Sequence, residues 1–363
     1  MLELAPFLVH HLVSTREAFK KMDSNGAKFI LVAGDDKKII GLVSDGDLRR
    51  AIWSSSSLED PIGTIANQDF LSGEYGIGPH ELSRLFMKHT HFRVIPILKD
   101  GYLKDIALRE SYENDGYSAS DKKLDLPVVI MAGGKGTRLD PFTRILPKPL
   151  IPIGNQPIIE IVMDRFAQYG MTEFWLSLHD KSKMIKAYFE DFGKKYNIQY
   201  VEEDQPLGTI GPLSLLSDNL KTPFFVSNCD IVVDTDYSKI WDFHKEGGHS
   251  LTIVGSMRHY HIPYGVCEIN PDGSLKEMKE KPEIDAVVNT GMYLFNPVVM
   301  DYVKSGNRLD INHLMDMMKA DGHSIGVYPV SENSWTDVGQ WDQYEQTVEK
   351  FSKVYSNEEQ AES

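Results

Sequence analysis

The apolar run Val128–Met131 passes without a spacer into Ala132-Gly133-Gly134-Lys135-Gly136-Thr137-Arg138-Leu139. Consecutive β-rich apolar residues predict a strand buried on both faces, as in a parallel sheet covered by helices. Glycines directly after such a strand let the backbone approach a ligand closely and turn N–H groups toward an anion. Further strands are predicted at 173–177, 198–201 and 224–227, with helices at 157–169 (closed by Gly170), 181–192 and 211–217. This alternation predicts an α/β fold, a Rossmann-like doubly wound sheet with helices on both faces. Later in the chain, Pro271-Asp272-Gly273-Ser274 joins 266–270 to 275–278 as a hairpin, and 292–295 and 324–330 read as further strands.

Two familiar phosphate loops fail on this stretch. A dinucleotide fingerprint, G-x-G-x-x-G, started at Gly134 meets Leu139 where its third glycine belongs, and G-x-x-x-x-G-K-[ST] is absent. What remains is a basic loop: Lys135, Arg138, Arg144 and Lys148 stand against Asp140 alone. The whole chain runs the other way, with 38 basic and 53 acidic residues and a net charge of −15. An acidic surface repels nucleic acid and anionic membranes, so neither is expected as a partner, whereas a small polyanion suits the local basic cluster.

A chain of 363 residues exceeds one ordinary core, so two or three domains are expected. No apolar run approaches the roughly 18–20 residues that span a bilayer. The start, MLELAPFLVHHLVS, has no basic residue before its apolar stretch and does not read as a signal peptide. Cys229 and Cys267 make neither a disulfide framework nor a metal spacing, and a cytoplasmic protein is expected.

The stretch GGKGTRLDPFTRILPKPLIPIGNQP, residues 133–157, resembles the signature of the sugar-1-phosphate nucleotidylyltransferases, G-x-G-T-R-L-x-P-x-T followed by P-K-P-L. The resemblance implies a mixed sheet of the nucleotide-diphospho-sugar transferase type. It also implies that Ala132, Gly133, Gly134, Gly136 and Thr137 receive a nucleoside triphosphate. Arg138 would hold the phosphates that leave as pyrophosphate, and Lys148 would sit at the α-phosphate and the sugar phosphate. Pro147 and Pro149 restrict the backbone around that lysine.

Asp230 follows the predicted strand at 224–227, at the end where doubly wound sheets bind ligands. Trp335-Thr336-Asp337-Val338-Gly339 resembles the family's late W-x-D-x-G element, which implies that Asp230 and Asp337 share one Mg²⁺, an ion that prefers oxygen ligands. The segment 203–211, EDQPLGTIG, resembles the base-binding element and implies nucleotide contacts at Gln205, Gly208 and Thr209. Glu280-Lys281-Pro282 and Asn289-Thr290-Gly291 resemble the elements that meet the sugar phosphate, placing Glu280, Lys281, Asn289 and Thr290 there.

The N-terminal part carries a duplication, KFILVAGDDKKIIGLVSDGDLRRAI at 28–52 and HFRVIPILKDGYLKDIALRE at 91–110, each preceded by a helical pattern (15–22 and 79–89). Residues 40–50 resemble the G-h-h-[ST]-x-x-D element of CBS domains, which implies an adenine nucleotide on Ser44 and Asp47. In the second copy Lys104 and Ala107 take the corresponding places, leaving it without the ribose acceptor. Paired modules of this type imply a homo-oligomer. His10-His11, His89/His91 and His259/His261 lack zinc spacing and read as solvated or core histidines.

The expected organisation is a smaller α+β CBS pair at 1–115, a linker at 116–125, a catalytic domain at 126–349 and a polar tail at 350–363. The resemblance implies transfer of a nucleoside monophosphate, from GTP by preference, to a hexose or hexosamine 1-phosphate. A CBS pair fused ahead of such a domain resembles the glucosamine-1-phosphate guanylyltransferases of legionaminic acid pathways. CTP, UTP and dTTP stay open, as does a nucleotide-sensing regulatory protein with a non-catalytic transferase domain.

Overall fold

The computed structural model of the chain describes residues 4–53, 57–89, 92–109, 123–192, 195–339 and 344. Most of the linker expected at 116–125, the tail at 350–363 and His91 lie outside the described residues. The chain divides into two compact units, Met1–Ser118 and Ala119–Ser363.

The first unit repeats one arrangement. Leu8–His10, Phe29–Ala33 and Ile39–Ser44 form a three-stranded sheet, parallel across the first pair and antiparallel across the second. Gly73–Glu74, Val94–Lys99 and Tyr102–Leu108 form another with the same pairing. The helix Thr15–Asn25 precedes the first hairpin, and Pro79–Lys88 precedes the second. Ser14 caps the former by accepting the Glu17 N–H, and Ala18, Phe19 and Met22 bury its apolar stripe against Ile30, Val32 and Val43.

The strand register corrects the expected alignment of the two copies. Ser44 stands opposite Phe29 at the end of its hairpin, and the residue in that place in the second copy is Leu108, opposite Val94, rather than Lys104. Ala107 lies inside the strand, opposite Ile95. The second hairpin has the shorter turn, so matching Gly101 to Gly41 shifts the comparison by four residues.

The S-D-G-D string has a local explanation. Ser44 precedes the helix Asp45–Trp53, and the Asp47 carboxylate reaches back to accept both the Ser44 N–H and its hydroxyl, each at 2.7 Å. Asp47 thus supplies the carboxylate half of a capping box, and its other oxygen pairs with Arg50. Asp47→Ala is therefore expected to destabilise the first unit by about 1 kcal/mol, the usual cost of a lost cap. Chemical denaturation of the full chain checks this, and an unchanged midpoint would show that Asp47 does not hold the helix start.

The second unit is built on a seven-stranded sheet. Its spatial order is Asn197–Glu202, Glu173–Leu178, Val128–Met131, Phe224–Asn228, Glu283–Phe295, Leu251–His261 and Ile325–Val330. The first four strands are parallel; Glu283–Phe295 runs antiparallel to both its neighbours, and Leu251–His261 is parallel to Ile325–Val330. The sheet is thus mixed. Its central strands alternate between two cores: Val128, Ile130 and Phe225 face one, and Val129, Phe224 and Val226 face the other. The helices Ile158–Ala167, Ser182–Phe192 and Tyr237–Glu246 cover the first face. The helix Ile311–Ala320 covers the second, with the stretch expected as a helix at 211–217, here the 3₁₀ segment Gly211–Leu216. The hairpin is present as Val266–Ile269 against Leu275–Lys279. The short strand expected at 292–295 is the buried end of one of 13 residues whose first half is exposed or half-buried. Among the described residues no helix is long and apolar enough to cross a membrane.

Candidate active site

The parallel strands Val128–Met131 and Phe224–Asn228 end together, with Asn228 beside Met131, so the glycine loop and Asp230 leave the same edge of the sheet. Asp337 arrives from far along the chain. Trp335–Asp337 pairs antiparallel with Ile231–Val233, Asp337 stands opposite Ile231, and the Val338 N–H donates to the Asp230 carbonyl at 2.9 Å. Lys148, on the 3₁₀ turn Lys148–Leu150, forms an ion pair with the Asp230 carboxylate, and these side chains are only 12% and 9% exposed.

Gly339 shows how closely these groups converge. A β-carbon there would lie 2.7 Å from Asp230 Oδ2, 2.8 Å from Asp337 Oδ1 and 3.4 Å from Lys148 Nζ. A side chain there would have to push these charged groups apart. The Gly339 N–H also donates to Asp337 Oδ1 at 2.7 Å.

The electrostatics follow from burial and like charge. Burial pushes the Asp337 carboxyl above its ordinary range and neighbouring Asp230 adds to this, against the Gly339 N–H, Lys148 and Arg138. Burial opposes the Lys148 charge, yet Asp230 foremost, with Cys229 and Asp337, outweighs it and raises the ammonium above 10.5. A raised lysine stabilises fully below its unfolded value and loses that contribution only as pH rises through the folded one, so the pair holds throughout the neutral range. Burial pushes the Cys229 thiol up to about 12, so it is no nucleophile at neutral pH.

A cavity of about 690 Å³ opens over this cluster, lined among others by Gly133, Gly134, Arg138, Lys148, Asp230 and Asp337. Arg138 is exposed and pairs with no carboxylate among the described residues. Gly208, Thr209, Asn289 and Thr290 also line the cavity. Gly208 has φ +89°, and a β-carbon there would meet the Leu309 carbonyl at 2.7 Å, so the chain needs glycine at this turn. The Thr209 N–H donates to Asp310 Oδ1 at 3.0 Å. Thr290 spends its hydroxyl on the Val254 carbonyl at 2.7 Å, where the strand register shifts. Asn289 donates to the Tyr293 hydroxyl at 2.6 Å.

The remaining expected residues lie apart from the cavity lining. Ala132 is buried, and its N–H completes the sheet by donating to the Ser177 carbonyl at 2.9 Å. Gly136, Thr137 and Gln205 are not among the lining residues, and the last two are exposed. Glu280 and Lys281 are exposed on the turn into Glu283–Phe295.

The cavity also takes residues to which no motif gives a role, Asn228, Tyr293, Arg308 and Asp310, together with Glu203 and Trp335 from within the 203–211 and W-x-D-x-G elements. Glu203 is buried and accepts the Ser177 hydroxyl at 2.8 Å and the Leu207 N–H at 3.0 Å, fixing the turn before Gly208. Its place at the head of 203–211 was the available signal. For Arg308 and Asp310, which pair at 3.4 Å, the string NRLDIN carries none.

Two donor carboxylates with a partly opposed charge suit a divalent cation that prefers oxygen. The fit is chemical: every side-chain donor at the cluster besides the lysine is a carboxylate oxygen.

Residues 127–353 match the family model described as Nucleotidyl transferase, and residues 6–54 match that of the CBS domain. Among curated proteins, the mannose-1-phosphate guanyltransferase of Neurospora crassa is 33% identical over 226 residues, 59% of this chain and 61% of its own length. The mannose-1-phosphate guanyltransferase of Saccharomyces cerevisiae is 35% identical over 185 residues, 48% of this chain and 51% of its own. The chain thus spans about half to three fifths of the curated relatives it matches. Among solved structures, HddC from Yersinia pseudotuberculosis is similar at a TM-score of 0.49 and 23% identity, covering 62% of this chain and 99% of that one.

Proposed function

The chain belongs to the nucleotidyl transferase family, and we propose on that premise that it joins a nucleoside monophosphate to a sugar 1-phosphate with release of pyrophosphate. The observation that carries this reading is the convergence of Lys148, Asp230 and Asp337 on one cavity beside the glycine loop and Arg138. In the reaction an oxygen of the sugar phosphate attacks the α-phosphorus. A new P–O bond forms, the α–β bridging bond breaks, and its electron pair leaves with pyrophosphate. The attacking oxygen is already anionic, so no side chain need remove a proton. The chain's work is positioning and charge neutralisation.

Arg138, exposed and without a carboxylate partner among the described residues, is placed to hold the departing phosphates. Lys148 keeps its charge in the buried cluster and meets the negative charge that gathers around the α-phosphorus. Asp230 and Asp337 would hold Mg²⁺, which when bound offsets charge on the α-phosphate. Gly339 keeps the space between the carboxylates clear of side chain.

GTP is the proposed donor, supported by the guanyltransferase names of the relatives. Those names specify mannose 1-phosphate, whereas the fused arrangement with a CBS domain resembles enzymes of glucosamine 1-phosphate. One experiment tests class, base and sugar together: pyrophosphate release from GTP, UTP, CTP and dTTP against each sugar 1-phosphate, with the product weighed by mass spectrometry. GDP-sugar from GTP alone is expected. Product from another nucleotide would displace GTP, and no product with any pair would favour the regulatory reading.

An adenine nucleotide at Ser44 and Asp47 remains part of the proposal. It would have to displace the Ser44 and Arg50 contacts that now occupy the Asp47 carboxylate.

A further inference from the structure

His10 and His11 have no partner set in the linear sequence, but the fold supplies one. His10 ends the strand Leu8–His10 opposite Ala33, and the His11 N–H continues the pairing by donating to the Ala33 carbonyl at 2.9 Å. The His11 carbonyl in turn accepts the Gly63 N–H at 3.0 Å, so the backbone at this residue is held from two sides. Two residues beyond Ala33 the chain turns, closed by the Lys37 N–H on the Gly34 carbonyl at 2.9 Å, and this turn presents Asp35 to both rings.

Asp35 Oδ1 lies 3.0 Å from His11 Nε2 and 3.2 Å from His10 Nε2. One ligand atom from each of the three residues falls within 4.8 Å of the others, and the imidazole centroids are 4.6 Å apart. Zinc bonded at roughly 2.0–2.1 Å in a tetrahedral shell sets neighbouring ligand atoms about 3.3 Å apart, close to the two carboxylate–imidazole distances.

We propose that His10, His11 and Asp35 form a site for a divalent transition-metal ion of the zinc class, with water completing the shell. Two imidazole nitrogens and one carboxylate favour Zn²⁺ or Co²⁺ over Mg²⁺, which takes oxygen donors. Asp35 is 84% exposed, so the ion and its waters enter without rearrangement of the core. The other nitrogen of His10 faces the Leu12 N–H at 3.4 Å, a long contact given up when ligation through Nε2 moves the ring proton to Nδ1. The bound ion would tie the strand end to the turn at Asp35 and so brace the first copy of the duplicated unit.

The test uses the full chain in excess Mg²⁺, which keeps Asp230 and Asp337 occupied. Co²⁺ is titrated and followed by its visible absorption, then displaced by Zn²⁺. One equivalent with the absorption of a tetrahedral nitrogen–oxygen site is expected. His11→Gln and Asp35→Asn should each weaken binding by more than the roughly 10- to 100-fold that a lost outer-shell partner costs. The metal-free melting of Asp35→Asn should match that of the unaltered chain, because Asp35 is a surface residue, and Zn²⁺ should raise the melting temperature of the unaltered chain alone. Absence of binding, or equal binding by Asp35→Asn, would overturn the assignment. A thiolate charge-transfer band would do the same by moving the ion to Cys267, which is exposed.

Discussion

Asp230→Asn is expected to lower kcat by roughly 100- to 1,000-fold, the range that loss of one preorganised electrostatic group costs. The substitution is isosteric, so the pairing of Trp335–Asp337 with Ile231–Val233, which runs through the Asp230 backbone carbonyl, should survive. What disappears is the charge. Lys148 loses its nearest anion, and the proposed metal keeps one carboxylate in place of two. The checks are a steady-state rate at saturating Mg²⁺ and the circular dichroism of the variant. A rate near that of the unaltered chain at saturating metal would remove Asp230 from the proposed chemistry, however well the variant folds.

Lys148→Ala should lower kcat/KM by a similar factor of roughly 100 to 1,000, with kcat falling as well as KM rising. The reason is that charge on the phosphoryl oxygens is greatest as the bonds exchange, so a buried ammonium contributes more there than in the ground state. A second readout separates this from simple disruption. With the lysine gone, Asp230 and Asp337 are left close together without their internal cation. A divalent ion then has no ammonium to displace, so Mn²⁺ in the absence of nucleotide should bind the variant more tightly than the unaltered chain. A change in KM alone would reduce Lys148 to a ground-state contact. Weaker Mn²⁺ binding would mean that the lysine organises the carboxylates instead of competing for them.

Much of the second unit was legible because its signals are local. A buried strand must be apolar on both faces, so Val128–Met131 and Phe224–Asn228 stand out, and a glycine loop after a strand has few structural uses. Other elements were missed although some signalled themselves: Asp236 caps Tyr237–Glu246 and Asp310 precedes Ile311–Ala320, whereas the first half of the strand Glu283–Phe295 lies outside the core. The copy alignment failed for a different reason: a glycine match is a weaker constraint than strand register, which backbone hydrogen bonds set.

The linear sequence by itself determined the α/β class, the residue types of the basic loop and the two carboxylate elements, since each rests on neighbours a few positions apart. Only the tertiary structure decided what those residues do together. Asp230 and Asp337 are joined by a short antiparallel pairing, Lys148 forms an ion pair with Asp230, and the three charged groups approach one point at Gly339. Glu203 and Asp310 likewise enter the cavity through contacts with Ser177, Leu207 and Thr209. His10, His11 and Asp35 show the same thing in the first unit. Ligand spacing along a chain has no meaning until strand pairing brings residue 35 beside residues 10 and 11, and that pairing is a long-range interaction no local pattern encodes.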